Sequence, residues 1–271
     1  MTRPVGAGMT RVATWLACAL AWQMLAIARH NQALFPPLQR VAAVSLPEIA
    51  LFGGAPRPGF LPAAEVIAAA AGSTLLRIVV GVALGAFLGL LGAATAYFAT
   101  ANRRLSRVFL AATRGVPLLA LIPLFMFWFG DRELGMCLYI GFGVFIVISA
   151  VLYEAFCGVS RRYIDQARLL GANRLQVFAY VELPAVQPQL FSAIREALGL
   201  SWAFSLGAEY LTAQSGLGYL VTQSYLYSDM GKLFIMAAVY CVFAYATYLV
   251  VAIVSKLTGR WYLARPNGGL P

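Results

Sequence analysis

The side chains able to do chemistry are few and scattered. One histidine, His30, ends an apolar run with no cysteine or carboxylate cluster beside it. A zinc site gathers several such ligands, so His30 reads as an interfacial residue. Cys18, Cys137, Cys157 and Cys241 lie in or beside apolar runs and form no CxxC pair. They read as small buried hydrophobes, not as a disulfide frame or metal site. No catalytic and no metal-ligating residues are assigned. What remains is a handful of polar groups set singly in apolar stretches. Ser201, Ser205, Ala208 and Thr212 form one stripe, and Glu209 stands beside it. Arg114 precedes Pro117 and Pro123. An ionisable group at membrane depth costs roughly 2–4 kcal/mol unless it faces water or a partner. Glu209 is therefore either part of a pathway or gate, or an interfacial carboxylate paired with a neighbouring helix. Arg114, Ser201, Ser205, Glu209 and Thr212 are the candidates for a translocation pathway or gate.

The elements that must hold these residues are membrane helices. The chain of 271 residues is 61% hydrophobic and 11% charged, where a soluble domain carries about a quarter charged residues. A small soluble fold cannot hide so much apolar surface. The net charge of +10 does not indicate nucleic acid, because the basic residues fall in short clusters between apolar runs. A spanning helix needs about 20 mainly apolar residues. Six segments qualify, near Val12–Ala28, Ile78–Ala101, Phe109–Gly130, Gly135–Tyr153, Ala197–Ala213 and Leu233–Ser255. Val66–Leu76 is too short to span and is expected to lie along the interface. The first segment could be a cleaved signal peptide with Arg3 and Arg11 as its basic n-region, but Trp15, Trp22 and Gln23 in the run and the lack of a clear small-residue cleavage site favour a retained signal anchor.

Basic residues orient the chain. With the N-terminus inside, the inner segments hold Arg3, Arg11, Arg103, Arg104, Arg107, Arg161, Arg162, Arg168, Arg174, Arg195, Lys256, Arg260 and Arg265. The outer segments hold Arg29, Arg40, Arg57, Arg132 and Lys232, with Arg77 near the outer interface. Both termini are thus expected in the cytoplasm. The proline-rich stretch Asn31–Pro62 reads as an outer surface connection with one short helix around Leu38–Val44.

Packing signals are also present. Gly81, Gly85 and Gly89, followed by Ala93, put small residues on one face of the second span, a seam for close helix approach. Gly199, Ala203 and Gly207 make a similar ridge on the fifth. Pro117 and Pro123 loosen the third span, which makes Arg114–Pro123 a candidate moving element.

The segment Glu154–Glu196 mixes charge with apolar residues and reads as structured. Ser160 can cap a helix running to about Leu170, and Gly171 suits its C-terminus. A second helix can run from about Arg174 to Val181, with Pro184 stopping it. Two short helices with a tight joint suit a groove on a soluble partner, or else form a lid over the bundle's inner end.

Here the sequence resembles a known family. Asp165-Gln166-Ala167, three residues, Gly171, nine residues, Val181, one residue and Leu183-Pro184 resemble the Glu-Ala-Ala loop of ABC importer permeases, with Asp165 and Gln166 replacing the family's Glu and first Ala. Leu118–Gly130 (LLALIPLFMFWFG), Gly199–Leu211 (GLSWAFSLGAEYL) and Ser215–Leu220 (SGLGYL) are similar to the nitrate, sulfonate, taurine and bicarbonate group of these binding-protein-dependent inner-membrane components. The resemblance runs from about Ser73 to Trp261. It implies an all-α integral membrane protein with six transmembrane helices and the type I importer fold. Residues 1–72 read as an N-terminal helix and outer connection, 73–261 as the transport core with the cytoplasmic loop 154–196, and 262–271 as a cytoplasmic tail. The resemblance implies an ATPase-coupling loop containing Asp165, Gln166, Ala167, Gly171, Ala172, Leu183 and Pro184. The implied partners are a second copy of the chain, two cytoplasmic ATPase subunits and an extracytoplasmic solute-binding protein, in a bacterial inner membrane. No GxxxxGK[ST] loop occurs in the chain, so ATP belongs to another subunit. Small anions are the family-level substrate expectation, with aromatic acids and thiamine-precursor pyrimidines open. An ATPase-independent secondary transporter or channel is the alternative, although neither intramembrane charge pairs nor inverted repeats are evident. A membrane-embedded enzyme would need a clustered polar constellation, which is lacking.

Overall fold

The computed structural model describes residues 6–29, 35–99, 115–130, 133–212 and 214–258, with 108, 110, 112 and 113 singly. His30, Arg114, the tail 262–271 and the arginines 3, 103, 104, 107, 132, 260 and 265 lie outside the described residues, as do the side chains of Cys18 and Thr212. Among the described residues every regular element is helical. The longer ones are α1 (Gly6–Arg29), α2 (Phe60–Phe98), α3 (Ile122–Phe129), α4 (Glu133–Cys157), α5 (Arg161–Leu169), α6 (Arg174–Val177), α7 (Leu183–Thr212), α8 (Leu217–Leu226) and α9 (Met230–Thr258). The chain divides into two compact units at Ala71/Gly72, Gly218/Tyr219 and Val239/Tyr240.

Three helices combine the length and apolarity needed to cross a membrane: Phe60–Phe98, Glu133–Cys157 and Met230–Leu257. The α1 helix, with 24 residues, and α7, with 30, are long enough at about 1.5 Å per residue, but α7 carries Arg195, Glu196 and Glu209. The third expected span is interrupted. Pro117 precedes a tight 3-10 turn at Leu118–Leu121, and Pro123 sits in the first turn of α3. Both prolines stand where their missing N–H is not needed.

Two expected boundaries are corrected. Val66–Leu76 is not a separate interfacial piece. It is continuous with the 39-residue α2, because nothing between Phe60 and Phe98 breaks an α-helix after Pro62. Pro184 does not stop the second short helix. After α6 the backbone widens into a π-turn over Phe178–Glu182 and continues directly into α7. A widened turn relieves the clash and missing hydrogen bond that a proline imposes on the preceding turn.

In the first unit the outer connection is more ordered than expected. Helical turns run unbroken from Leu38 to Gly53, with Ile49 and Ala50 fully buried. Lys232 Nζ reaches Glu48 at 3.1 Å and Asp229 at 3.0 Å and lies over the Phe52 ring. Trp22 packs on Phe35 and Phe234 and donates to the Pro36 carbonyl.

The second unit is built on close backbone approach. The glycine face of α2 lies on α4. A Cβ at Gly81 would stand 2.7 Å from Ile140 Cγ2, one at Gly85 would collide with the Gly141 carbonyl, and one at Gly89 would stand 2.9 Å from Ile148. In lipid, such packing replaces the hydrophobic drive that water would give. On its other side α4 packs along α7, where Gly143 admits the Phe204 ring.

Candidate functional site

The expected loop folds as a helical hairpin. Ser160 occupies the N-cap of α5 in an extended conformation, without a side-chain cap bond. Gly171 has φ +86°, the left-handed conformation that glycine adopts without strain. Its N–H donates to the Arg168 carbonyl at 2.9 Å, and the Ala172 N–H donates to the Ala167 carbonyl at 3.1 Å. These two bonds make a Schellman close, so Ala167, Gly171 and Ala172 act together to turn the chain. Asn173 then caps α6: its side chain accepts from the Gln176 N–H at 2.9 Å, and Gln176 Oε1 accepts from the Asn173 N–H at 2.8 Å. This reciprocal box was not read from the sequence, although Asn followed three residues later by Gln is its signature. Asp165 and Gln166 are exposed, and Leu183 and Pro184 are half-buried where the hairpin enters α7. Leu169 and Leu170 are 87% and 89% exposed, and Leu175 and Tyr180 are exposed beside them. Contiguous exposed apolar surface of this kind marks a contact region.

The fifth-span candidates meet a partner that sequence reasoning missed. Arg77 and Glu209 are each 1% exposed and pair at 2.8 Å. Arg77 uses all the donors of its guanidinium. Nε and Nη2 grip Glu133 at 2.6 and 2.5 Å, Nη1 also reaches the Ser215 carbonyl at 2.9 Å, and Nη2 reaches Ser215 Oγ at 2.7 Å. Glu209 is equally engaged. Oε1 accepts from Arg77 and from Ser205 Oγ at 3.1 Å. Oε2 accepts from Thr74 Oγ1 at 2.9 Å, from the Gly218 N–H at 2.8 Å and from the Tyr240 hydroxyl at 3.5 Å. Thr74 Oγ1 in turn accepts from the Leu217 N–H. The carboxylate and the threonine thus satisfy the first N–H groups of α8, which is favourable at a helix N-terminus. Gly216, at φ +106°, must be glycine, because a Cβ there would lie 2.5 Å from Glu209 Oε2.

The remaining candidates divide. Ser201 is wholly buried and bonds back to the Ala197 carbonyl at 2.7 Å. Ser205 joins the network. Gly199 and Ala203 face outward, while Gly207 packs against Leu119 and Ile122. The sequence alone puts Arg77 near the outer interface and names no partner for it. The signal available was a lone charge on an apolar helix, which demands a counter-charge.

Residues 81–260 match the family of binding-protein-dependent transport system inner membrane components. The chain belongs to this family. Its curated relatives include the putative aliphatic sulfonates transport permease protein of Bacillus subtilis (strain 168), 31% identical over 68% of this chain and 63% of that protein. A putative ABC transporter permease protein of Methanocaldococcus jannaschii is 31% identical over 77% of this chain and 75% of its own length. The taurine transport system permease protein of Escherichia coli (strain K12) is 35% identical over 40% of this chain and 39% of that protein. The chain spans just under two thirds of the length of the first curated relatives it matches. In solved structures the fold is similar to a chain of the MetNI methionine ABC transporter in inward-facing form, with TM-score 0.64, 18% identity, and coverage of 72% of this chain and 97% of that one. A chain of an amino acid ABC transporter gives TM-score 0.56 at 18% identity, covering 72% and 95%. The family span contains the whole helical hairpin, Glu133 and Glu209, whereas Arg77 and Thr74 lie just before it. The fold is the permease fold of type I importers, and the family is a transport component of the inner membrane, not an enzyme.

Proposed function

We propose that this chain is the permease subunit of an ATP-driven importer that passes a small anionic solute, such as a sulfonate, taurine or nitrate, delivered by an extracytoplasmic binding protein. The observation that carries the reading is the hairpin Arg161–Glu182: a rigidly closed turn outside the long apolar helices, with bare leucines at its tip. In this reading the hairpin seats in a groove of a cytoplasmic ATPase, two permeases pair, and two ATPases drive them. Closure of the ATPases on ATP draws the hairpins together and opens the helices outward. Asp165, Gln166, Ala167, Gly171, Ala172, Leu183 and Pro184 form the coupling element. The transport core covers residues 73–261, preceded by the helix and outer connection of 1–72 and followed by a cytoplasmic tail, 262–271. Sulfonate and taurine relatives support the anion class.

Glu209 is proposed as an outer gate element. Support comes from its fastening of α2, α7 and the start of α8 through one carboxylate. Ser205 serves the same network, and Arg114, Ser201 and Thr212 are the further pathway candidates.

The test is Gly171→Glu. No atom stands within 4 Å of a Cβ at this site, so the substitution acts through the backbone and the docking face. The variant is expected to insert normally but to lose its ATPase on co-purification, or to lose solute-stimulated hydrolysis. Full retention of the ATPase with coupled uptake would sink the coupling role.

A further inference from the structure

A cavity of about 290 Å³ lies where the hairpin meets α2 and α4, and its walls include Tyr97, Cys157, Arg161, Asp165, Arg168 and Glu182. Arg161, Asp165 and Arg168 share one face of α5 with Ile164, the residue that anchors the helix inward, because their spacing follows the helical repeat. Glu182 forms the opposite wall from the π-turn. It is 4% exposed, and its Oε1 accepts from the Tyr97 hydroxyl at 2.6 Å. Among the described residues no cation pairs with it, and neither Arg161, Asp165 nor Arg168 has an ion-pair partner. A carboxylate withdrawn from water without a cation is costly. Here the cavity is the space in which a cation would sit.

Among the described residues the walls carry two positive and two negative groups. A bare anion would meet Asp165 and Glu182, and a bare cation would meet both arginines. A molecule that carries both charges meets each with its opposite. We propose that this cavity binds a small zwitterion, its ammonium against Glu182 and its tetrahedral anionic group against Arg161 and Arg168. The volume is at the small end of ligand pockets. Aminoalkanesulfonates such as taurine have this chemistry, and so does the phosphoethanolamine headgroup of a membrane lipid. A bound zwitterion braces α5 against the bundle. If α5 couples to the ATPase, a point that rests on the proposed function, occupancy from the cytoplasmic side restrains uptake.

Cys157 is exposed on the cavity wall and reports on occupancy. The full-length chain in lipid-free detergent is treated with a water-soluble maleimide, and alkylation of Cys157 is followed by mass spectrometry, with a denatured sample as the reference for full reactivity. Taurine is expected to slow Cys157 alkylation about tenfold at about ten times its dissociation constant. Ethanesulfonate and ethylamine, each with one charge, are expected to have no effect. Glu182→Gln is expected to abolish the protection, and so is the double variant Arg161→Ala/Arg168→Ala, whose changes lie on an exposed helix and leave the fold intact. In phosphatidylglycerol nanodiscs, protection that appears on adding phosphatidylethanolamine assigns the occupant to the lipid headgroup. Protection by taurine alone assigns it to the free solute. The proposal is overturned if neither protects Cys157, if the singly charged probes protect equally, or if both variants keep the protection. The assay contains no ATPase, so its outcome is independent of the Gly171→Glu test.

Discussion

Arg77 illustrates how one residue can organise several elements. A guanidinium inside an apolar bundle is tolerable only when every donor is met, and here two carboxylates and Ser215 meet them. The two carboxylates are not equivalent. Glu209 is fully buried, whereas the Glu133 side chain is 65% exposed, so water can replace Glu133 but not Glu209. Removing one partner of a buried pair costs about 3–5 kcal/mol, while an exposed pair contributes about 0–1 kcal/mol. Glu209→Gln is therefore expected to lower the thermal unfolding temperature of the purified chain markedly, and Glu133→Gln only slightly. A larger loss in Glu133→Gln would refute this ranking. If Glu209 gates the pathway, Glu209→Gln also alters uptake in molecules that still assemble. Unchanged uptake kinetics would remove it from the gate.

At the scale of elements, glycine and proline decide which helices touch and which continue. Along α2, Gly81, Gly85 and Gly89 bring its backbone against α4. Gly72, on the same helix, has nothing within 4 Å of a Cβ and makes a matched control. Gly85→Leu is expected to destabilise the fold by about 1–3 kcal/mol or more, the cost of overpacking, while Gly72→Leu should leave it intact. The measurement is the monodisperse yield and melting temperature in detergent. Equal behaviour of the two variants would show that the α2–α4 seam is not tight. The seam and the Gly171 turn were legible in the sequence because each depends on residues a few positions apart. The passage through Pro184 was not, since it needed a π-turn that local propensity does not announce.

For the whole molecule, the arrangement in the membrane follows from charge. The excess of arginine and lysine in alternate connections is the basis for the proposed topology, with both termini and the hairpin on the cytoplasmic side. Single cysteines introduced at Ser106 and Gly268, in a chain cleared of reactive thiols, should be labelled by an impermeant reagent only after the inner face is exposed. Labelling of either from outside intact cells would reverse the topology, and would put the hairpin beyond reach of any ATPase.

The sequence by itself determined what depends on composition and short-range spacing. Lipid as the solvent, the long apolar helices, the glycine face of α2, the left-handed turn at Gly171 and the hairpin around it are all properties of neighbouring residues. Only the tertiary structure decided the pairings between distant ones. Glu209 was visible as a charge needing a partner, but Arg77 lies 132 positions away and Glu133 lies 56 from Arg77. Tyr97 and Glu182 are 85 apart. Helical periodicity says which face a residue occupies on its own helix. It carries no information on which other helix lies against that face, because that choice is made by the packing of the whole bundle.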